Sequence, residues 1–424
     1  MSTYIGVYGA GFLGTVISAC LADFGMPISC FDENLHHVAA IARGDIPYYE
    51  RNLHDIVRRS IRAGRLMYAT DLPSFARRAN LIYLAQDTPN GLEDAAAKLA
   101  KGAAADTILV ISSPAPVGTA ARIEQRIQEL GLGTTIVSHP VFLTDGCAVE
   151  DFNWPDRILL GASSTRAVMA LKQLYRPLVM RGVPVIVTNH ATAELARQAA
   201  TAFCATKISF INELAGLCER VGADAVDLAL ALGLDKKIAP RCLQPGAGYG
   251  GPFVEAQMDS LTQLARAKGV NLKVIAAARE VNRALSDCMT DKITRALDSV
   301  TGKQLGVLGL SFKPNTNSVA NSSSIMLVRS LTGRGAVVRA YDPVAIPEAM
   351  RELEDSVRYC QTAYAAAESA DALVVGTGWP EFRALDFERI RALLKQPIIV
   401  DTKNLLDAER LRSLGFQYVG MGRS

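Results

Sequence analysis

The chain has 424 residues, 49% of them hydrophobic, and a net charge of +3 with Lys and Arg scattered singly. That length exceeds one compact core and implies two or three domains, while the evenly spread charge argues against a nucleic-acid or membrane surface and still allows local positive charge for a phosphate. No run of about 18 apolar residues occurs and the N-terminus opens directly into a strand, so a cytoplasmic protein is expected.

Short apolar runs alternate with helical stretches through the first part of the chain. Tyr4–Tyr8, Pro27–Asp32, Asn80–Ala85, Thr107–Ser112, Thr134–Ser138 and Pro184–Thr188 read as buried strands. Their brevity and β-branched content suit a parallel sheet covered on both faces, hence a doubly wound α/β domain. Gly9-Ala10-Gly11-Phe12-Leu13-Gly14 follows the first strand and opens a helix. In this pattern Gly9 permits the tight turn, Gly11 lets backbone approach a pyrophosphate, and Gly14 allows helix and strand to pack closely. The helix N-terminus offers N–H groups and partial positive charge to the phosphates. Asp32 ends the second strand, where a carboxylate can accept from both ribose hydroxyls and would repel a 2′-phosphate. NAD is therefore expected as the cofactor, with His36 and His37 close to the same end. Phe12, Leu13, Thr88 and Pro116 complete the expected cofactor contacts.

Strand signals disappear between about Asn189 and Ala296. Ala191 to Val221 reads as one long alanine-rich helix, with further helices around a glycine-rich insert. A linker helix and dimerisation surface are expected there. Gln304–Leu310, Ala336–Asp342, Ala372–Thr377 and Ile398–Asp401 then restart the alternation as a second, smaller Rossmann-like domain. The expected partition is 1–188 for NAD, 189–300 for the helical dimerisation segment and 301–424 for the second Rossmann-like domain, to which the family resemblance described next assigns a nucleotide or nucleotide-sugar. Cys20, Cys30, Cys147, Cys204, Cys218, Cys242, Cys288 and Cys360 form no CxxC or Cys/His ligand spacing, so reduced thiols and no metal are expected.

Motifs in all three segments resemble the UDP-glucose/GDP-mannose dehydrogenase family. They include Asp45-Ile46-Pro47-Tyr48-Tyr49-Glu50, Pro116-Val117-Gly118-Thr119, and His139 through Gly146 followed by Pro155-Asp156-Arg157-Ile158. Glu194, Lys207-Ile208 and Asn212-Glu213 match the family's central helix, and Gly306 through Thr316 is nearly its nucleotide-binding signature. Ala340-Tyr341-Asp342-Pro343 and Asp401-Thr402-Lys403-Asn404 match later strand ends. The resemblance implies a four-electron oxidation of a nucleotide sugar: hydride transfer to NAD, capture of the aldehyde by a cysteine, a second hydride transfer, and hydrolysis of the thioester. It also implies that Lys237, Gly248, Tyr249, Gly250, Gly251, Phe312 and Lys313 contact the substrate.

Departures cluster where that chemistry resides. The position of the nucleophilic cysteine holds Phe253, and the lysine and aspartate that follow it become Ala256 and Gln257. The central-helix lysine and asparagine are Arg197 and Thr201, the hydrolytic glutamate is Val141, and a turn threonine is Pro114. After Thr316, charged positions become Asn317-Ser318 and Ala320-Asn321. Thioester chemistry is therefore not expected. Arg197, Thr201, Cys204 and Ile208 share a helix face, so Cys204 is a candidate relocated thiol beside a cation. His139 is the candidate general base.

Three readings stay open. One is an NAD-dependent oxidoreductase making a single two-electron transfer on a nucleotide-linked sugar or related phosphorylated metabolite. Another is a non-catalytic, nucleotide-binding member that dimerises with or regulates another enzyme. The third is a UDP-sugar 6-dehydrogenase using Cys204. A homodimer through Ala191–Val221 is expected.

Overall fold

The computed structural model describes residues 4–423. They form two compact units that divide between Ala199 and Ala200, inside a 32-residue helix, His190–Val221.

The first unit is built on eight strands: β1 (Ile5–Tyr8), β2 (Ile28–Phe31), β3 (Leu66–Tyr68), β4 (Leu81–Leu84), β5 (Ile108–Ile111), β6 (Thr135–Ser138), β7 (Ile158–Gly161) and β8 (Val185–Thr188). Their order is β3-β2-β1-β4-β5-β6-β7-β8. Every pairing is parallel except β6 with β7, which meet at Ser138 and Gly161. The near-continuous apolar character of the strands follows from cover on both faces. Ile5, Val7, Leu81 and Tyr83 enter one core with the helix Phe12–Asp23, while Tyr8, Ile82 and Leu84 enter the other. Strand β8 departs from the expected burial. At this sheet edge Ile186 and Val187 are exposed, 46% and 45%.

The sheet order reverses direction between β1 and β4, and the crevice at the carboxyl ends of these strands is where a doubly wound sheet takes its ligand. The glycine turn lies there. Gly9 has φ +110°, and a Cβ on it would meet the Ala85 backbone. A Cβ on Gly14 would overlap the Gly9 carbonyl, so close packing of helix on strand requires that glycine.

In the second unit the long helix continues into Ala225–Leu234, Val254–Ala267 and Lys273–Leu297. Six parallel strands follow: β9 (Gln304–Leu308), β10 (Val337–Tyr341), β11 (Val357–Tyr359), β12 (Ala372–Val375), β13 (Ile398–Asp401) and β14 (Gln417–Gly420), ordered β11-β10-β9-β12-β13-β14. The helices share a core with this sheet: Ala215, Cys218, Leu285, Met289 and Ile293 pack with Leu305 and Val307. Lys292 pairs with Glu219 at 2.5 Å, and Glu219 also accepts the Gly422 N–H at 2.7 Å. Arg423 pairs with Asp224 at 2.8 Å. These contacts tie the last strand to the helices.

Both sheets repeat one local device. The N–H groups of Gly9 and Gly309 donate to Phe31 and Tyr341, the last residues of β2 and β10. A carboxylate one residue further then accepts from the turn: Ala10 N–H to Asp32, and Leu310 N–H to Asp342, both at 2.7 Å.

Candidate functional site

In the first unit the glycine turn, the Phe12–Asp23 N-terminus and Asp32 come together as expected. Asp32 accepts the N–H groups of Ala10 and, at 2.8 Å, Asn34. His37 Nε2 lies 3.0 Å from the Ala10 carbonyl and 3.1 Å from the Tyr48 hydroxyl. Because a carbonyl only accepts, that ring nitrogen carries a proton and buttresses the turn. Thr88 and Pro116 are exposed at the ends of loops. The Pro116 carbonyl closes a turn by accepting from the Thr119 N–H and hydroxyl.

The glycine turn and Asp32 fit a dinucleotide. The N–H groups that would receive its pyrophosphate are engaged by a residue that sequence reasoning missed. Asp87, just beyond β4, accepts the N–H of Phe12 on Oδ2 and that of Leu13 on Oδ1, both at 2.9 Å. Burial raises the Asp87 pKa, although the two N–H bonds oppose that shift. The available signal was its place at the carboxyl end of the strand across the switch point.

His139 is not a base facing a ligand. It is 4% exposed, with Nδ1 2.9 Å from the Leu159 carbonyl and Nε2 2.9 Å from the Tyr175 hydroxyl. The carbonyl fixes the proton on Nδ1, leaving Nε2 to accept from Tyr175, which is bonded to Tyr83 at 2.8 Å. Burial lowers its pKa to about 4. The sequence expectation failed because the residue beside the pocket-lining Pro140 points its ring into the core instead.

Ile111, Ser113, Ala115, Ser138, Pro140, Glu194 and Arg197 line a small cleft nearby. Arg197 donates to the Ser112 carbonyl at 3.2 Å, and burial lowers its pKa to about 10, leaving it a cation at neutral pH. Glu194 accepts the N–H groups of Gly118 and Ala120, at 2.6 and 2.8 Å, at the start of the helix Thr119–Glu129. It holds the turn that precedes that helix.

In the second unit Thr201 donates to Gln257 Oε1 at 2.8 Å, so two replaced positions meet as a neutral pair. Phe253 is the N-cap residue of the helix Val254–Ala267. A thiolate there would gain from the helix dipole, whereas a phenyl ring neither ionises nor attacks carbon. Cys204 is exposed and in contact with the half-buried Cys242. That contact, with burial, pushes the Cys242 thiol upward. Cys204 meets Cys242 and Arg197 donates to Ser112, and residues seven apart on a helix are separated by roughly 10 Å of rise.

The glycine loop is held firmly. Asn282 accepts the Tyr249 N–H at 2.9 Å and donates to its carbonyl at 3.2 Å. The Gly251 N–H donates to Ala320, while its carbonyl accepts from Asn321. Gly248 and Gly251 have φ +82° and +95°, and the Phe312 ring occupies the space that a Cβ on Gly251 would need. A Cβ on Gly250 would overlap the Asn321 carbonyl. The structure thus brings Phe312 against the loop. Lys313 sits with its ammonium 5.7 Å from the Phe312 ring centroid, and Lys237 is exposed.

Among the described residues no group of three or more His, Cys, Asp or Glu could hold a metal, and no helix is long and apolar enough to cross a membrane.

Three domain profiles of the UDP-glucose/GDP-mannose dehydrogenase family match: the NAD binding domain over residues 3–179, the central domain over 191–284 and the UDP binding domain over 306–408. The chain is 37% identical to UDP-glucose 6-dehydrogenase TuaD of Bacillus subtilis, covering 99% of this chain and 93% of that protein. It is 36% identical to the UDP-glucose 6-dehydrogenase of Rhizobium meliloti, covering 99% of both. The solved UDP-glucose dehydrogenase of Pyrobaculum islandicum superposes with a TM-score of 0.91 at 28% identity, over 100% of this chain and 98% of that one. With fold, glycine turn and all three domains in agreement, the chain belongs to the UDP-glucose/GDP-mannose dehydrogenase family of NAD-dependent oxidoreductases acting on CH–OH groups.

Proposed function

We propose that this protein carries out a single two-electron transfer at a CH–OH group of a nucleotide-linked sugar or related phosphorylated metabolite, without a covalent thioester stage. The observation that carries this reading is Phe253 at the N-cap of Val254–Ala267, supported by the neutral Thr201–Gln257 pair beside it in sequence and space. A free aldehyde has no hydride to give until a nucleophile adds to it. No thiol stands at position 253 to make that adduct. Oxidation would therefore stop when the first hydride has left carbon and the hydroxyl proton has passed to solvent.

Bound NAD would supply the hydride acceptor, seated by Gly9, Gly11, Phe12, Leu13, Gly14 and Asp32, with Thr88 and Pro116 at the rim. Arg197 is the fixed cation on the long helix and would stabilise a developing oxyanion. Thr201 would orient the hydroxyl through its bond to Gln257. Phe312, Lys313, Lys237 and the Gly248–Gly251 loop would hold the nucleotide end, with Lys237 meeting a phosphate. The three functional parts would be 1–188, 189–300 and 301–424, joined by the long helix. The names of the relatives favour a UDP-linked hexose as the first substrate to try.

A homodimer through the long helix forms part of the proposal. Phe203, Phe210, Leu217 and Val221 are 66%, 50%, 54% and 66% exposed, and their spacing places them along one stripe. The non-catalytic reading draws support from the same replacements at Phe253 and Gln257. Single-turnover absorbance at 340 nm with a panel of nucleotide sugars separates the two: NADH formation supports the enzyme, while binding without NADH supports the regulator.

A further inference from the structure

The seat for the dinucleotide's pyrophosphate already contains an anion from this chain. Gly11, the N-cap residue of Phe12–Asp23, has no side chain with which to cap the helix. Asp87 supplies the cap from 75 residues away, one oxygen to each of the Phe12 and Leu13 N–H groups. A Cβ on Gly11 would overlap the Asp87 carboxylate, so the space opened by this glycine is filled by that side chain. A pyrophosphate would need the same space and the same donors. Two anions cannot share them.

We propose that Asp87 is an internal competitor of the cofactor, and that NAD enters only when the Asp87 side chain turns out of the helix N-terminus. Apparent affinity is then the intrinsic affinity multiplied by the fraction of molecules in which Asp87 is turned away. A displaced carboxylate also remains at the rim and repels the phosphates. This inference rests on the cofactor seat and is independent of how many hydrides the enzyme transfers.

Groups from three elements face Asp87. Asp32 at the end of β2 opposes its ionisation, His37 from Leu35–Ala42 favours it, and the Tyr48 hydroxyl borders the same space. An Asp87→Ser variant isolates the Asp87 contribution because His37 stays in place.

Calorimetric titration of NAD into the full chain, its Asp87→Ser and its Asp87→Asn variants tests the proposal. Thermal melts without NAD confirm folding. Binding tighter by about tenfold or more in Asp87→Ser and an intermediate gain in the nearly isosteric Asp87→Asn are expected. Removing the internal cap should lower the ligand-free melting temperature, and NAD should then raise it by more than in the wild type. Equal or weaker NAD binding in both folded variants would overturn the proposal. If Asp87→Ser does not fold, Asp87→Asn alone decides by the same criterion. NAD binding to none of the three would overturn both this proposal and the cofactor seat. One or two NADH per sugar bears only on the reaction proposed above.

Discussion

At the scale of single residues, burial decides which titratable groups are available for chemistry. His139 looked usable because it stands among motif residues at the end of β6. Its ring instead completes a buried chain with Tyr175 and Tyr83. Its folded pKa, about 4, is depressed below the ordinary value of 6.5. Between those values the unfolded chain binds the proton and the folded chain does not. Stability contributed by neutral His139 is therefore complete above about pH 6.5 and is lost as pH falls towards 4. Urea midpoints measured across that window should fall with decreasing pH, and folded His139→Gln should show a shallower fall by up to one proton's worth of linkage. An identical slope in the variant would place His139 outside the buried network. Asp87 gives the complementary lesson: a carboxylate outside every recognised motif occupies the donors that the motif was expected to offer.

Elements with strong periodicity were legible from sequence. The long helix was expected from Ala191 and begins at His190, with Asn189 accepting the Thr192 N–H at 2.8 Å. The expected strand centres match β1, β2, β4, β5, β6 and β8, and β9, β10, β12 and β13. The strands not anticipated are informative. β3 and β11 have three residues each and lie on sheet edges, too short for a pattern to register. β7 lies within a segment read through its motif residues, and β14 is a short C-terminal edge strand. The glycine loop was legible as a loop, but its packing against Phe312 was not, since nothing local links position 251 to position 312. Gly251→Ala combines an unfavourable positive φ with displacement of that ring. It should destabilise the protein by about 1–3 kcal/mol. Denaturant unfolding of the variant checks this, and a midpoint equal to that of the wild type would show that the loop is not held as described.

For the whole molecule, two features remain to be tested: its assembly and the number of electrons it moves. The exposed stripe of Phe203, Phe210, Leu217 and Val221 is too apolar to favour solvent along 32 residues of helix. Light scattering at micromolar concentration should report a two-fold dimer. Phe210→Glu should shift the population towards monomer, whereas a wild-type monomer would rule out the helix as a self-association surface. The losses at the site were legible in sequence, because Phe253, Ala256 and Gln257 directly follow the retained glycines Gly248, Gly250 and Gly251. Which groups meet across the fold required the structure, as Thr201 with Gln257 and Cys204 with Cys242 illustrate.

The central claim is that position 253 no longer supports covalent capture, so chemistry stops after one hydride. Its most direct test is the stoichiometry of NADH formed per nucleotide sugar consumed, with the product identified by mass spectrometry. UDP-glucose is the first substrate, followed by a panel of related sugars. One NADH per sugar is predicted, with an aldehyde or ketone product and a yield unchanged in Cys204→Ser. Two NADH per sugar with a uronate product would contradict the account, and loss of the second equivalent in Cys204→Ser would identify that thiol as the nucleophile.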